Sequence, residues 1–287
     1  MNAPRRVVVT GFGAVSPLGL SAATTWSGIR EGRSGIAGIT LFDVTDCPVK
    51  FAGEVKGFDA APMLEKLYPA KDLRKVGRFA HLSLAASLEA FEHSGLVKGE
   101  FNAARAGTAI GVGMGGLPEI EDTHNDFKAK GFRRISPFFI TQSIPNLASG
   151  MVSMAFGLKG SNLCHTTACA SGAHAIGESF LSIRNGQNDV VLAGGAESVV
   201  CALGVGGFAA LRALSTRNDD PKAASRPYDN DRDGFVLAEG ATTLVLEEYE
   251  HAKKRGATIY AEIVGYGLSG DAYHFTLPAP EGAGGGQ

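Results

Sequence analysis

Apolar residues recur along this chain in short runs that break at glycine, with helically spaced apolar positions between them. RRVVVTG, 5–11, reads as a buried strand from Val7 to Thr10 running into a glycine turn. A helix is predicted over Ala22–Arg30 and a stronger one over 79–95. In the stronger one Leu84, Leu88 and Phe91 share a face, and Gly95 stands at the C-terminal cap. AGTAIGVGMGG, 106–116, is a second strand entering glycines, and 117–145 reads as a long irregular segment. Residues 146–157 look helical. Asn162–Thr167 approaches as a strand, and Ala170–Arg184 fits one helix closed by Asn185-Gly186. DVVLAG at 189–194 is the next strand, and 242–267 supplies strand, helix and strand before a polar and then glycine-rich end. Such alternation argues for an α/β fold with a largely covered sheet.

Composition narrows the class without choosing a function. At 287 residues the chain can build a large core, with length suggesting about two domains. A hydrophobic content of 44% with 20% charged residues is that of a soluble globular protein. The net charge of −2 gives no global argument for nucleic acid or membrane surfaces, so a charged partner must meet a local patch. The opening RRVVVTGFGAVSPLGLSAA imitates a secretory leader, but Thr10, Gly11, Gly13, Pro17 and Gly19 interrupt its apolar core. No run of about 18 apolar residues is available to span a membrane. Cys47, Cys164, Cys169 and Cys201 lack a framework spacing and read as reduced thiols of a cytoplasmic protein.

Several motifs invite chemistry they do not support. GFGAVS, 11–16, and GVGMGG, 111–116, suggest dinucleotide binding. The first ends in Ser16 with no acidic residue about 20 positions on, and the second leads into Leu-Pro, so both read as tight turns at strand ends. DNDRDGFVLAEG, 229–240, opens like a calcium loop through Asp229, Asp231, Asp233 and Gly234. Its twelfth place is Gly240 and a strand pattern follows, which favours a hydrogen-bonded aspartate turn. Cys164, His165, Cys169 and His174 lack a CxxC pair and divide between strand and helix, so no metal site is assigned. No cofactor is implied.

Cys169, in TTACASGAH, is different. A lone cysteine is by default a small buried hydrophobe. Here a strand approach meets a helix start, so the thiol stands where free N–H groups and the positive dipole end favour thiolate. The same N–H groups can hold an oxyanion formed on a thioester carbonyl. Ala168, Ala170 and Gly172 leave room for a substrate, which is the logic of a nucleophile elbow with cysteine in place of serine. Cys169 reads as an acyl-accepting nucleophile, while His165 reads as structural and His174, five positions on, as packing elsewhere.

RRVVVTGFGAVSPLG, FRRISPFF, TTACASGAHAIG, VLAGGAES, the run from LGVGGFAALRALSTRNDD to DGFVLAEGA, and GYGLSGDAYHFTLPAPEGAG together resemble a known family. It is the β-ketoacyl-acyl-carrier-protein synthase II family, elongating condensing enzymes of fatty-acid synthesis with the thiolase fold. The resemblance implies that Cys169 takes an acyl chain from acyl carrier protein, and that decarboxylation of malonyl-carrier protein yields the carbanion that attacks it. It implies that the Cys169 amide supplies part of the oxyanion hole. Met114 and Phe208 would border the acyl chain, and Asp271 and His274, in DAYH, would belong to a loop beside the site. Lys71, Arg74, Lys75, Arg133, Arg134 and Arg212 would meet the acidic carrier. A homodimer follows from the family alone.

The family's two catalytic histidines lie in HGTxTxxGD-type and KxxxGHxxGAAG-type segments of a second half, and neither segment occurs here. Residues 1–267 are therefore expected to form an N-terminal thiolase-like domain, with 268–287 opening a second half. Cys169 is expected to remain acylatable, and decarboxylation to be lost or impaired. The segment alone is expected to be poorly soluble or oligomeric, because two sheets of this architecture share central helices. A ketosynthase of polyketide assembly and a non-catalytic carrier-binding subunit are the alternative readings.

Overall fold

A computed structural model describes residues 4–286. Its centre is a six-stranded sheet in the order β5-β4-β6-β7-β1-β8. These strands are β1 Val7–Val15, β4 Ala106–Gly111, β5 Asn162–Leu163, β6 Val190–Glu197, β7 Gly240–Glu248 and β8 Ala261–Ile263. A two-stranded ribbon, β2 Ala37–Gly38 with β3 Phe51–Ala52, lies apart from it. β4 pairs parallel with β5 and β6, whereas β7 runs antiparallel to both β6 and β1. The helices are α1 Ala22–Arg30, the short α2 Ala60–Met63 and α3 Ala70–Leu73, α4 Arg78–Ser94 and α5 Leu117–Lys130. After them come α6 Phe139–Ser143, α7 Leu147–Phe156, α8 Ser171–Arg184, α9 Ala202–Ala210 and α10 Tyr249–Lys254.

The sheet is covered on both faces, as its apolar runs required. On one face α4 and α7 close a core in which Phe79, Leu82, Leu84, Phe91, Val152 and Phe156 meet Ile110, Val190, Leu192 and Val245. On the other, Phe180 and Ile183 of α8 meet Val7, Val9, Val191 and Leu246. Val190 and Leu192 face one way and Val191 and Ala193 the other, the two-residue period of a strand buried twice. α1 starts at a reciprocal Ser21–Thr24 capping box, and α4 ends at Gly95 with φ +69°, both within one residue of the predicted bounds.

Two expectations are overturned. β1 does not end in a glycine turn: it continues to Val15, paired with β7 from Val7 to Val15. The register shifts between Val9 and Gly11, a bulge that carries the odd positions from the α8 face to the α4 face. There Gly11 and Gly13 allow α4 to lie directly on the strand. A Cβ at Gly13 would come within 2.2 Å of the Ala86 carbonyl oxygen, and one at Gly11 within 2.4 Å of that of Ala90.

Residues 117–145 are not irregular either, since they hold α5, a 3₁₀ turn at Phe132–Arg134 and α6. α5 buries none of its residues, so it has no apolar stripe to reveal it. Its Leu-Pro start is compatible with a helix, because a first-turn proline lacks an N–H that would be unpaired anyway. The β5 approach is regular only over Asn162–Leu163, at the sheet edge. The 229–240 stretch is the aspartate turn expected, with the Asp231 N–H donating to Asp229 Oδ1 at 2.8 Å ahead of β7. No helix among the described residues is long and apolar enough to cross a membrane.

Candidate active site

Cys169 sits in a 3₁₀ turn, Ala168–Ala170, that runs straight into α8. Ala168 adopts φ +52°, a left-handed conformation that is costly for a residue with a Cβ. Ser171 holds this strain in place. The Thr167 N–H donates to Ser171 Oγ at 2.9 Å, and that hydroxyl donates to the Ala168 carbonyl at 2.6 Å. Among the four thiols, Cys47 and Cys164 are half-buried, Cys201 is buried and Cys169 is exposed. Burial pushes the Cys201 thiol up to about 11 and raises that of Cys164, which disfavours their thiolates. Among the described residues the Cys169 N–H meets no acceptor, whereas the next amide, Ala170, donates to Thr167 at 3.2 Å. A free thiol and a free N–H thus share one residue at a helix start, as thioester attack with oxyanion stabilisation needs.

Close backbone packing places this turn at the carboxyl ends of β4 and β6. A Cβ on Gly111 would lie 2.2 Å from the Ser171 carbonyl carbon, and one on Gly195 would lie 3.2 Å from Gly172 Cα. Beside the turn, Glu197 at the end of β6 accepts three successive N–H groups: Oε2 from Gly113 and Met114 at 2.9 and 2.8 Å, and Oε1 from Gly115 at 3.0 Å. This residue went unnoticed in the sequence. The available signal was an acidic residue ending the apolar strand VVLAGGAE.

The other expected residues divide. Met114 is 43% exposed on the loop that abuts Ala168. Phe208, on α9, packs edge-on to Phe235 at 5.2 Å in a second apolar cluster with Val200, Val205 and Leu214. Asp271 and His274 cap their own loop: Asp271 Oδ2 accepts the Ala279 N–H at 2.8 Å, and His274 Nδ1 accepts the Thr276 and Leu277 N–H groups at 3.2 Å. No hydrogen bond among the described residues ties either to Cys169. His174 does not pack elsewhere: its Nδ1 shares a 2.7 Å hydrogen bond with Thr167 Oγ1, seven positions or about two helical turns back, on the segment that leads into the cysteine turn. His165 donates no bond from its buried Nε2, while its carbonyl accepts the Val112 N–H.

Lys71, Arg74 and Lys75 lie on or just after α3, where α6 is stitched to it, while Arg133 and Arg134 belong to the 3₁₀ turn after α5. Thr141 Oγ1 donates to the Lys75 carbonyl at 2.5 Å, and Gln142 Nε2 donates to that of Arg74 at 3.0 Å. Lys71, Arg74, Arg133 and Arg134 are exposed, and Lys75 is paired with Asp72. Arg212 borders a different feature, an open cavity of about 930 Å³ shared with Arg226, Tyr228, Arg232 and Phe235.

The family model described as "Beta-ketoacyl synthase, N-terminal domain" matches residues 4–252. The chain belongs to the β-ketoacyl synthase family. A 3-oxoacyl-[acyl-carrier-protein] synthase 2 of Vibrio cholerae is 51% identical over 281 residues, 98% of this chain and 67% of the relative. The protein of the same name from Coxiella burnetii is 51% identical over 280 residues with the same coverage. The chain thus spans about two thirds of the length of these relatives. Among solved structures, the ishigamide ketosynthase/chain length factor matches with a TM-score of 0.88 at 33% identity, covering 98% of this chain and 67% of that one. A β-ketoacyl synthase from Burkholderia phymatum matches with a TM-score of 0.85 at 36% identity, covering 96% and 66%. The thiolase-like fold of these ketosynthases is therefore the fold of this chain. Within the β-ketoacyl synthase scaffold, Cys169 lies at the junction of β4, β6 and α8.

Proposed function

We propose that this chain carries the acyl-accepting centre of a 3-oxoacyl-[acyl-carrier-protein] synthase of fatty-acid elongation. The supporting observation is the exposed Cys169 beside a free N–H on a strained turn at the start of α8. In the first step the Cys169 sulfur attacks the thioester carbonyl of an acyl-carrier protein. The oxyanion forms against the Cys169 N–H, the bond to the carrier's sulfur breaks, and the departing thiolate takes up a proton. The acyl group is then ready for attack by the carbanion from malonyl-carrier protein. The resemblance assigns that decarboxylation to histidines outside the matched two thirds, and no histidine among the described residues is hydrogen-bonded to Cys169. Met114 and Phe208 border the acyl chain, Asp271 and His274 belong to the neighbouring loop, and no metal or cofactor takes part.

The carrier docks on Lys71, Arg74, Lys75, Arg133, Arg134 and Arg212, whose positive charge suits an acidic partner. In support, one structural neighbour is a type II polyketide acyl-carrier protein in complex with its ketosynthase bound to the hexaketide, at 32% identity and a TM-score of 0.86. Identity to the fatty-acid synthases is higher, at 51%, which favours elongation over polyketide assembly. We place the protein in the cytoplasm as a homodimer, with 1–267 as its N-terminal domain and 268–287 opening the second half. The exposed sheet edge at β5 supports pairing with a second copy.

The test is incubation with acyl-carrier protein followed by intact-mass measurement. One acyl group is expected per chain, located on Cys169 by peptide mapping and absent from Cys169→Ser. Equal labelling of the serine variant overturns the proposal.

A further inference from the structure

Glu197 leaves the sheet on the same face as Gly195, two residues earlier on β6, whose Cα packs against the first turn of α8. Its carboxylate fills a concavity made by the consecutive N–H groups of Gly113, Met114 and Gly115. Gly115, at φ +70°, turns the third N–H onto the same point. Three such amides form a nest that binds anions, and here the anion is the protein's own side chain. A Cβ at Gly113 would lie 2.7 Å from Glu197 Oε2 and 3.8 Å from the Ala168 carbonyl oxygen. The loop is therefore clasped between the carboxylate and the residue that precedes the nucleophile. Burial raises the pKa of Glu197, with the N–H groups of Met114, Gly115 and Gly113 pulling the other way. Its charge also reaches Cys164, on the segment that leads into the cysteine turn.

We propose that Glu197 is a positioning residue: by clasping the Gly113–Gly115 loop against Ala168, it sets where Met114 stands relative to the acyl group on Cys169. It thereby selects which chains the cysteine accepts. This rests on the acyl-accepting reading of Cys169. Glutamine in its place keeps the shape but turns one acceptor oxygen into an NH₂ facing N–H donors, so the clasp opens.

The test compares transfer of hexanoyl and tetradecanoyl groups from acyl carrier protein to Cys169 in the full chain and in Glu197→Gln. Iodoacetamide labelling of Cys169 reads the nucleophile separately. The ratio of the two transfer rates is expected to shift about fivefold or more, while alkylation stays within about twofold. Glu197→Asp should restore part of the ratio. Gly113→Ala, whose Cβ would push Glu197 Oε2 off the loop without changing its charge, should shift the ratio in the same sense even if the glutamine variant does not fold. An unchanged ratio in the folded variants overturns the proposal, as does an equal fall in both transfers together with alkylation. Absence of any acyl transfer in the unaltered chain overturns instead the reading on which it rests.

Discussion

GFGAVS and GVGMGG look alike as sequences, yet they do opposite things. The first lies inside β1, where Gly11 and Gly13 are bare so that the backbone of α4 can touch the strand. Their neighbours are carbonyl and amide atoms of a buried helix, which cannot move. The second leaves β4 for a loop whose N–H groups are gathered by a single carboxylate beside the Cys169 turn. The atom nearest Gly113 is the end of a flexible side chain. Glycine serves packing in one stretch and backbone hydrogen bonding in the other, and spacing alone does not separate them.

The contrast is easiest to break at its first half. Gly13→Ala would set a Cβ 2.2 Å from the Ala86 carbonyl and 2.7 Å from the Ala90 nitrogen. It should cost roughly 3 kcal/mol by overpacking, read as a loss in denaturant midpoint. Alkylation of Cys169 in the molecules that remain folded should not change. A Gly13→Ala protein as stable as its parent would show that α4 can retreat from β1.

The start of β1 offers a smaller lever. Arg5 and Arg105 both donate to Asp189, at the entry to β6. The hydrogen bond from Arg105 leads in holding the Asp189 carboxyl down at about 2, against an ordinary value of 3.8. A carboxylate depressed in the fold adds stability that is complete above its ordinary pKa and lost as pH falls towards the depressed one. Stability should therefore drop between about pH 4 and pH 2, by on the order of 1–2 kcal/mol once the partial exposure of the pair is allowed for. Asp189→Asn should be less stable at neutral pH and lack that part of the acid limb. Parallel acid curves for the two proteins would remove this account.

The second stretch leads into α5 and the basic turn after it, and there the expected effect is smallest. Replacing Arg133 and Arg134 with glutamate should weaken carrier binding about tenfold at low salt, the difference shrinking as salt screens it. Folding stability should hold, since both side chains are exposed. Binding that ignores both the substitutions and the salt would move the docking surface elsewhere.

Much of the molecule was legible without coordinates. Strict patterns named α1, α4 and β6, and the cap at Gly95 could be read because a missing Cβ acts locally. The position of Cys169 at a helix start was legible for the same reason: small residues flank it and a helix pattern follows. α5 was hidden because an exposed helix needs no apolar stripe, and the reach of β1 was hidden because its partner β7 lies more than 200 residues away. His174 was misplaced because the sequence could not show that Thr167 turns back towards it.

What the sequence alone determined, then, was the alternation of strands and helices, the covered sheet and the cysteine at a helix start. Each depends on neighbours a few residues apart, where propensity, capping and hydrophobic period operate. Only the tertiary structure decided which glycines touch a helix, which loop lies beside the Cys169 turn and which carboxylate holds that loop. Those depend on groups from distant segments, backbone and side chain alike, meeting at contact distance, and no local pattern encodes a meeting of that kind.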